Sequence, residues 1–356
     1  MATTEAPPLP AAAPARSRNF VAEFLSKYGL IAVLLALPVF YGIKDLSEEG
    51  DLSRLATNVF QGLSNGSIWA LIAVGYTLVY GIIELINFAH GEIFMIGSFV
   101  SAGLWATFGL TLVTGPLGLV IGLLATLIIA MVACGSLNVM IERVAYRPLR
   151  SAPKLAPLIT AVGFSFILQN VGLLWLGGSP AGLPDLLRAQ ETVTTILGVR
   201  IQRADVLAIV VTIPLVLAMV AFITKSRLGK AMRATAQDPD AARLQGINVD
   251  TTISLTFLLG GMLAGAAGLI YALYQTTIWF FQGFQAGLIA FTAAVMGGIG
   301  NLKGAVLGGL IIGIIQQISD NRIGSEWTPA IVFGYLVLVM VFRPQGLIGE
   351  QTREAG

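Results

Sequence analysis

Leu117-Gly-Leu-Val-Ile-Gly-Leu-Leu-Ala-Thr-Leu-Ile-Ile-Ala-Met-Val-Ala-Cys-Gly-Ser-Leu-Asn-Val-Met140 contains no Asp, Glu, Lys or Arg. Roughly 20 apolar residues in a helix span a hydrocarbon layer, so this stretch reads as a membrane-crossing helix. Ala204 to Thr224 and Leu255 to Leu273 read the same way. Across all 356 residues, 56% are hydrophobic, 11% are charged and the mean hydropathy is +0.82, whereas soluble domains carry about 25% charged residues. With 41 Gly and 15 Pro spread among the spans, close helix packing and broken helices are both expected. A net charge of +2 is too small to argue for nucleic acid. The one cysteine, Cys134, lies inside an apolar run, which excludes a disulfide framework and a thiolate metal cluster.

Working outward from this span gives an orientation. Met1 to Ser17 is Ala/Pro-rich and lacks the ordered regions of a signal peptide, so residues 1–27 read as a disordered cytoplasmic tail. A first span, Tyr28 to Ile43 with Pro38 inside it, is preceded by Arg16, Arg18 and Lys27 and followed by Asp45, Glu48, Glu49 and Asp51. The positive-inside rule therefore puts the N-terminus in the cytoplasm. Val59 to Ile83 then returns inward, Gly91 to Phe108 goes out, and Leu117 to Ile141 comes back to a basic segment, Arg143 to Lys154. Leu158 to Leu176 leads out to a long polar loop, Gly177 to Arg203, and Ala204 to Thr224 comes in. Ile253 to Gln275 goes out, Ala286 to Ile299 is a short inward leg, Leu302 to Ile318 goes out and Pro329 to Phe342 returns. The expected fold is an all-α polytopic bundle of about ten transmembrane helices, some short or broken, over residues 28–349. A cytoplasmic tail follows over 350–356, and 15 of the 21 Lys and Arg fall on the cytoplasmic side.

Between Lys225 and Asp250 a polar stretch interrupts the apolar chain. Asp238 is placed to cap a new helix, Pro239 suits the first helical position where no N–H is needed, and Gly246 ends the run after Leu244 and Gln245. A short rigid helix held between two spans is suited to passing a soluble partner's motion into the membrane.

Glu84-Leu-Ile-Asn-Phe-Ala-His-Gly-Glu92 and Asn301-Leu-Lys-Gly304 each place an Asn-to-Gly turn between Gly-rich apolar legs on one side of the membrane, a weak internal repeat. Two related halves suit a carrier with a central site. Glu84, Asn87, His90 and Glu92 have two readings: a polar turn at the cytoplasmic interface, or a helix break facing a translocation route. His90 is the only histidine, which excludes a His-rich metal site.

Gly62-Leu-Ser-Asn-Gly-Ser-Ile-Trp-Ala-Leu-Ile-Ala-Val-Gly-Tyr-Thr-Leu-Val-Tyr-Gly81 and Asn87-Phe-Ala-His-Gly91 resemble the permease subunits of branched-chain amino acid ABC importers. Tyr146-Arg-Pro-Leu149, Thr160-Ala-Val-Gly163, Gly229 to Gly246 and Ala294-Val-Met-Gly-Gly-Ile-Gly-Asn-Leu-Lys-Gly304 continue the resemblance in the same order, from about Leu55 to Gly349. The resemblance implies a permease of the bacterial inner membrane. Its implied partners are a second permease subunit, two ATP-binding subunits and a periplasmic substrate-binding protein. It also implies that the coupling segment comprises Gly229, Arg233, Ala234, Ala236, Asp238, Pro239, Ala241, Ala242, Arg243 and Gly246, with Ala241 and Ala242 offering a small smooth surface for close approach. The Ala/Pro tail and an additional span before Leu55 depart from the family pattern.

No Gly-x-x-x-x-Gly-Lys-[Ser/Thr] phosphate loop is present, so energy must come from a partner or an ion gradient, and no cofactor is expected. An ABC permease predicts the capped cytoplasmic helix. An ion-coupled carrier predicts paired membrane carboxylates or a Na⁺ site at unwound backbone, for which only the Glu84 to Glu92 turn offers candidates. A membrane enzyme needs a nucleophile with its base, or a metal cluster, and one His with one Cys supplies neither. The implied substrates are hydrophobic amino acids, with urea and short amides carried by related permeases. A zwitterion crossing the bilayer calls for polar groups, and Ser64, Asn65, Tyr76, Gln169, Asn170 and Gln275 are candidates beside the turn residues. The same groups serve equally to bond neighbouring helices.

Overall fold

The computed structural model describes residues 20–349 apart from 49, 112, 151, 154 and 197, with side chains from Gly29 onward. Of the tail expected over 1–27, residues 20–27 belong to the first helix, while 1–19, the tail expected over 350–356 and Lys154 lie outside the described residues. Ten of the helices follow the apolar runs: α1 (Phe20–Glu48), α2 (Ser53–Ile83), α3 (His90–Phe108), α4 (Pro116–Ile141), α5 (Leu155–Leu176), α6 (Arg203–Lys225), α9 (Val249–Gln275), α10 (Gln282–Gly297), α11 (Leu302–Arg322) and α12 (Thr328–Phe342). The other two, α7 (Arg227–Gln237) and α8 (Pro239–Leu244), occupy the polar interruption between α6 and α9.

By length and composition, eight of these helices are able to cross a membrane. The shorter legs α10 and α12 have 16 and 15 residues. At about 1.5 Å per residue they fall short of a hydrocarbon core of about 30 Å. The first helix starts at Phe20 rather than Tyr28, since no Gly or Pro stands between Phe20 and Lys27 to interrupt it.

Helix α2 forms the axis of the bundle. Ile68 to Val79 is buried without a break, and α2 packs on α11, α9, α10 and α6. Glycine sets the distance between α2 and α11: a Cβ added at Gly313 would lie 2.2 Å from the Gly66 Cα and 2.4 Å from the Gly62 carbonyl oxygen. The same device brings α9 onto α4, where a Cβ at Gly265 would lie 2.6 Å from the Ala130 carbonyl. Small residues permit such contact in a setting where lipid removes the hydrophobic drive for helix association. By contrast, α4, α5 and α6 turn large apolar side chains outward, among them Ile128, Val132, Ile159, Val210 and Leu217. Together with α1 and α12, which expose Phe40, Ile43, Val337 and Val341, these helices form the apolar outer surface of the bundle.

The long polar loop, Gly177 to Arg203, contains a hairpin. Strand β2 (Thr192–Ile196) pairs antiparallel with β3 (Val199–Gln202), and β1 (Ala181–Gly182) pairs with β4 (Thr277–Ile278) just after α9. The two Asn-to-Gly turns are built differently. Asn301 caps α11, its side chain accepting from the backbone N–H of Lys303 at 3.0 Å and Gly304 at 3.2 Å. Asn87 points its amide into the core, and α3 starts at Ala89 without a side-chain cap. The two turns thus differ in construction and do not by themselves show a repeat.

Candidate functional site

The junction from α6 to α9 is specified by three polar caps and three glycines or prolines. Ser226 leaves helical geometry and accepts from Gly229 N–H at 2.9 Å, which starts α7. Gly229 cannot be enlarged, because a Cβ there would collide with the Ile223 carbonyl, to which the Arg233 guanidinium also donates. Asp238 then accepts from the N–H groups of Asp240 at 2.9 Å and Ala241 at 3.0 Å, and Pro239 takes the first helical position. Gly246 adopts φ +81°, where a side chain is disfavoured, and the Ile247 N–H returns to the Ala242 carbonyl at 3.1 Å. Asn248 caps α9 by accepting from Thr251 N–H at 3.0 Å.

The faces of this segment are distinct. Met232 and Thr235 of α7 are buried, Ala234 and Ala236 are half-buried, and Arg233 is exposed. On α8, Ala241 and Arg243 are exposed, and Leu244 is 88% exposed. Arg243 pairs with Asp240 at 2.7 Å. Ala242 departs from expectation. It is 3% exposed and belongs to the apolar core, so it does not offer the smooth outward surface expected of it together with Ala241. The i, i+1 spacing forces this: adjacent helical residues point about 100° apart, so a helix with one buried face cannot present both.

Beneath α7 lies a cavity of about 690 Å³ bounded by α2, α6, α7, α9 and the turn before α11. Thr77, Thr224 and Thr256 line it with Arg233 and Lys303, and no carboxylate is among the lining residues.

The residues expected along a translocation route are dispersed. Tyr76 and His90 are brought together, their rings 4.6 Å apart and edge-on. Glu92, fully buried, accepts from Ser165 at 3.1 Å and Gln169 at 2.9 Å, tying α3 to α5. Asn87 donates to Asn138 at 3.1 Å and accepts from Tyr146 at 3.2 Å, while Asn138 donates to the Phe257 carbonyl at 2.6 Å. Asn65 is buried on α2, and Ser64 bonds the Phe60 carbonyl of its own helix. Asn170 and Gln275 are exposed, Asn170 donating to the Phe166 carbonyl one turn back. Glu84 is exposed, with φ 52° at the end of α2. The turn thus divides: Glu84 faces outward, while Asn87, His90 and Glu92 are enclosed by protein.

Sequence reading missed a charged cluster at the same end of the bundle as α8. Arg147 reaches Asp250 at 2.8 Å, and Arg150 bridges Asp250 at 2.5 Å and the fully buried Glu142. Ser254 donates to Glu142 at 2.7 Å. The chain turns here through a π-helical segment, Glu142–Tyr146, and a 3-10 turn, Arg147–Leu149, so ordinary helical spacing could not have paired these residues.

Residues 58–341 match the family model described as branched-chain amino acid transport system / permease component. The chain is 42% identical over 298 residues to the high-affinity branched-chain amino acid transport system permease protein BraD of Pseudomonas aeruginosa, covering 82% of this chain and 95% of that protein. It is 42% identical over 299 residues to the corresponding LivH protein of Escherichia coli K12, covering 83% and 96%. At 28% identity over 329 residues it is also similar to LsrC, an autoinducer 2 import system permease protein of Escherichia coli, covering 90% and 88%.

Proposed function

Because this chain belongs to the family of branched-chain amino acid transport system permease components, we propose that it conducts branched-chain amino acids across the bacterial inner membrane, driven through α7 and α8 by partner ATPase subunits. It is a non-catalytic permease component. On this reading it pairs with a second permease subunit, two ATP-binding subunits contact the cytoplasmic face, and a periplasmic binding protein delivers substrate. On the same reading the chain crosses ten times, with both termini and the α7–α8 segment in the cytoplasm; α10 and α12, too short to span as helices alone, complete their crossings through the non-helical residues beside them.

The observation that carries the proposal is the exposed, doubly capped α8. Asp238 and Gly246 fix its ends, Ala242 anchors it to the bundle, and Ala241 with Leu244 is left outward. Such a knob fits a groove on a soluble partner, with Ala241 allowing close approach and Leu244 supplying apolar area.

The test changes only outward side chains. Ala241→Trp and Leu244→Asp leave the permease in the membrane, since surface substitutions usually cost less than about 0.5 kcal/mol. Both are expected to abolish co-purification of the ATPase subunit and ATP-dependent uptake of labelled leucine in vesicles. Full assembly with normal uptake in both variants would reject docking through α8. Uptake of urea or acetamide in preference to leucine by the unaltered complex would reject the substrate.

A further inference from the structure

We propose that the groove between the end of α4 and the start of α9 holds the headgroup of an anionic phospholipid. The groove has a volume of about 690 Å³. Its polar side is formed by Arg143, Arg147, Asn248 and Asp250, and its apolar side includes Val139, Met140, Val144 and Leu258.

The charge balance leaves one cation over. Asp250 lies between Arg147 and Arg150, and Arg150 also neutralises Glu142. Three guanidiniums therefore face two carboxylates, and Arg143 makes no ion pair with any described residue. An uncommitted guanidinium beside exposed apolar side chains, here Met140 at 56% and Val144 at 58%, marks the level where a span leaves the apolar layer and headgroups begin.

The apolar side identifies the occupant as a lipid rather than a soluble anion. Met140 and Val144 continue the outward band of α4 formed by Leu124, Ile128 and Val132, which gives acyl chains a track leading to the groove. The depth is also right. The groove closes the bundle at the end where Asn248 follows α8, at the boundary between apolar helix and polar segment. Basic pockets between helices on the cytoplasmic side suit acidic headgroups, each Lys or Arg contributing about 1 kcal/mol at the membrane surface. One unpaired Arg then corresponds to about a fivefold preference over a zwitterionic headgroup. The occupied site would bridge α4 to α9, whose first residue lies five positions beyond Leu244 at the end of α8.

The experiment is native mass spectrometry of the assembled importer, stripped of lipid and titrated with phosphatidylglycerol or phosphatidylcholine of identical acyl chains. The complex is expected to retain phosphatidylglycerol about fivefold better. That preference should vanish in Arg143→Ala, reverse in Arg143→Glu, and persist in Arg143→Lys and in Arg343→Ala, a cation outside the groove. Equal retention of the two lipids, or an unchanged preference in Arg143→Ala, overturns the proposal. Displacement of phosphatidylglycerol by glycerol phosphate at equal concentration would make the site one for soluble anions. Loss of the ATPase subunit from Arg143→Ala with lipid retained would make Arg143 a protein contact. Either result rejects the lipid.

Discussion

Asp45→Ala should loosen the first helix from the bundle by several kcal/mol, although Asp45 lies outside the stretch matched by the family model. Arg322 at the end of α11 donates to Asp45 through Nη1 at 2.8 Å and Nη2 at 2.6 Å, and the two side chains are 5% and 2% exposed. Its Nε has no hydrogen-bond partner, and its remaining support is the Tyr41 ring at 5.4 Å. Removing the carboxylate deletes every acceptor of a buried cation, a change that costs about 3–5 kcal/mol. The ring offsets only about 1 kcal/mol of that. Arg322→Met should cost a similar amount by stranding the carboxylate. Asp45→Ala combined with Arg322→Met should recover much of the loss, since the double variant strands neither charge. Equilibrium unfolding of the purified permease in mixed micelles reads all three variants as a double-mutant cycle. A single-variant loss under about 1 kcal/mol would mean that water screens the pair. A double variant as unstable as the sum of the singles would mean that the two residues act separately. Either outcome refutes the fastening of α1 to α11 by this pair.

Gly313→Leu should separate α2 from α11, because the first added carbon already falls 2.2 Å from Gly66 Cα; overpacking of this kind costs about 1–3 kcal/mol or more and is read as loss of the folded fraction by size exclusion. Asp238→Ala removes the carboxylate oxygen that accepts both N–H groups at the start of α8, a loss of about 1 kcal/mol, and should lower leucine uptake while leaving the membrane domain folded by circular dichroism. In a Cys134→Ala background, Glu48→Cys should react with an impermeant thiol reagent from the periplasm and Asp240→Cys should not; labelling of position 240 from outside would invert the topology. The isolated subunit should bind no ATP at micromolar concentration, as measured by equilibrium dialysis, because no phosphate loop is present to cradle the triphosphate.

What could be read from sequence divides according to the range of the interaction. The apolar runs locate each long helix, because lipid requires one continuous segment to satisfy its own backbone. The ends of α8 were equally legible, since Asp238, Pro239 and Gly246 act within a turn of themselves. The outward placement of Ala242 failed for a neighbouring reason: which face of α8 turns inward is decided by packing on Ile247 and α9, beyond the cap residues. The polar interior was not legible at all. Asn87 meets Asn138 51 positions away, Trp69 meets Gln316 247 away and Arg322 meets Asp45 277 away, and nothing local distinguishes such partners from residues lining a route. The hairpin at β2 and β3 left a weak trace in the β-branched run Thr192-Val-Thr-Thr-Ile196, which a composition-level reading of a polar loop passes over.

These long-range pairs bear on how a force at α8 would reach the bundle. On one side, α7 is locked to the end of α6, with Gly229 set against the Ile223 carbonyl and Arg233 donating to it. If α8 docks a partner, a push on α7 would be passed to α6 and to the wall of the cavity that α7 shares with α2. On the other side, Asn248 starts α9 four residues after Leu244, and Asp250 is gripped by Arg147 and Arg150. Arg150 extends that grip to Glu142 at the end of α4, four residues beyond Asn138, which bonds Asn87 at the helix break. Both routes use capped junctions and charge-assisted bonds rather than flexible linkers, so little of a displacement would be lost before it reached α2, α4 and α9. If α8 is the docking element, breaking one route should uncouple ATP hydrolysis from transport without preventing assembly. Asp250→Asn, which weakens the grip of two guanidiniums but keeps the side chain's shape, is the variant to test this. The expected phenotype is an assembled complex whose ATPase continues while leucine uptake falls several-fold. Parallel loss of both activities would show that the cluster serves assembly and not transmission.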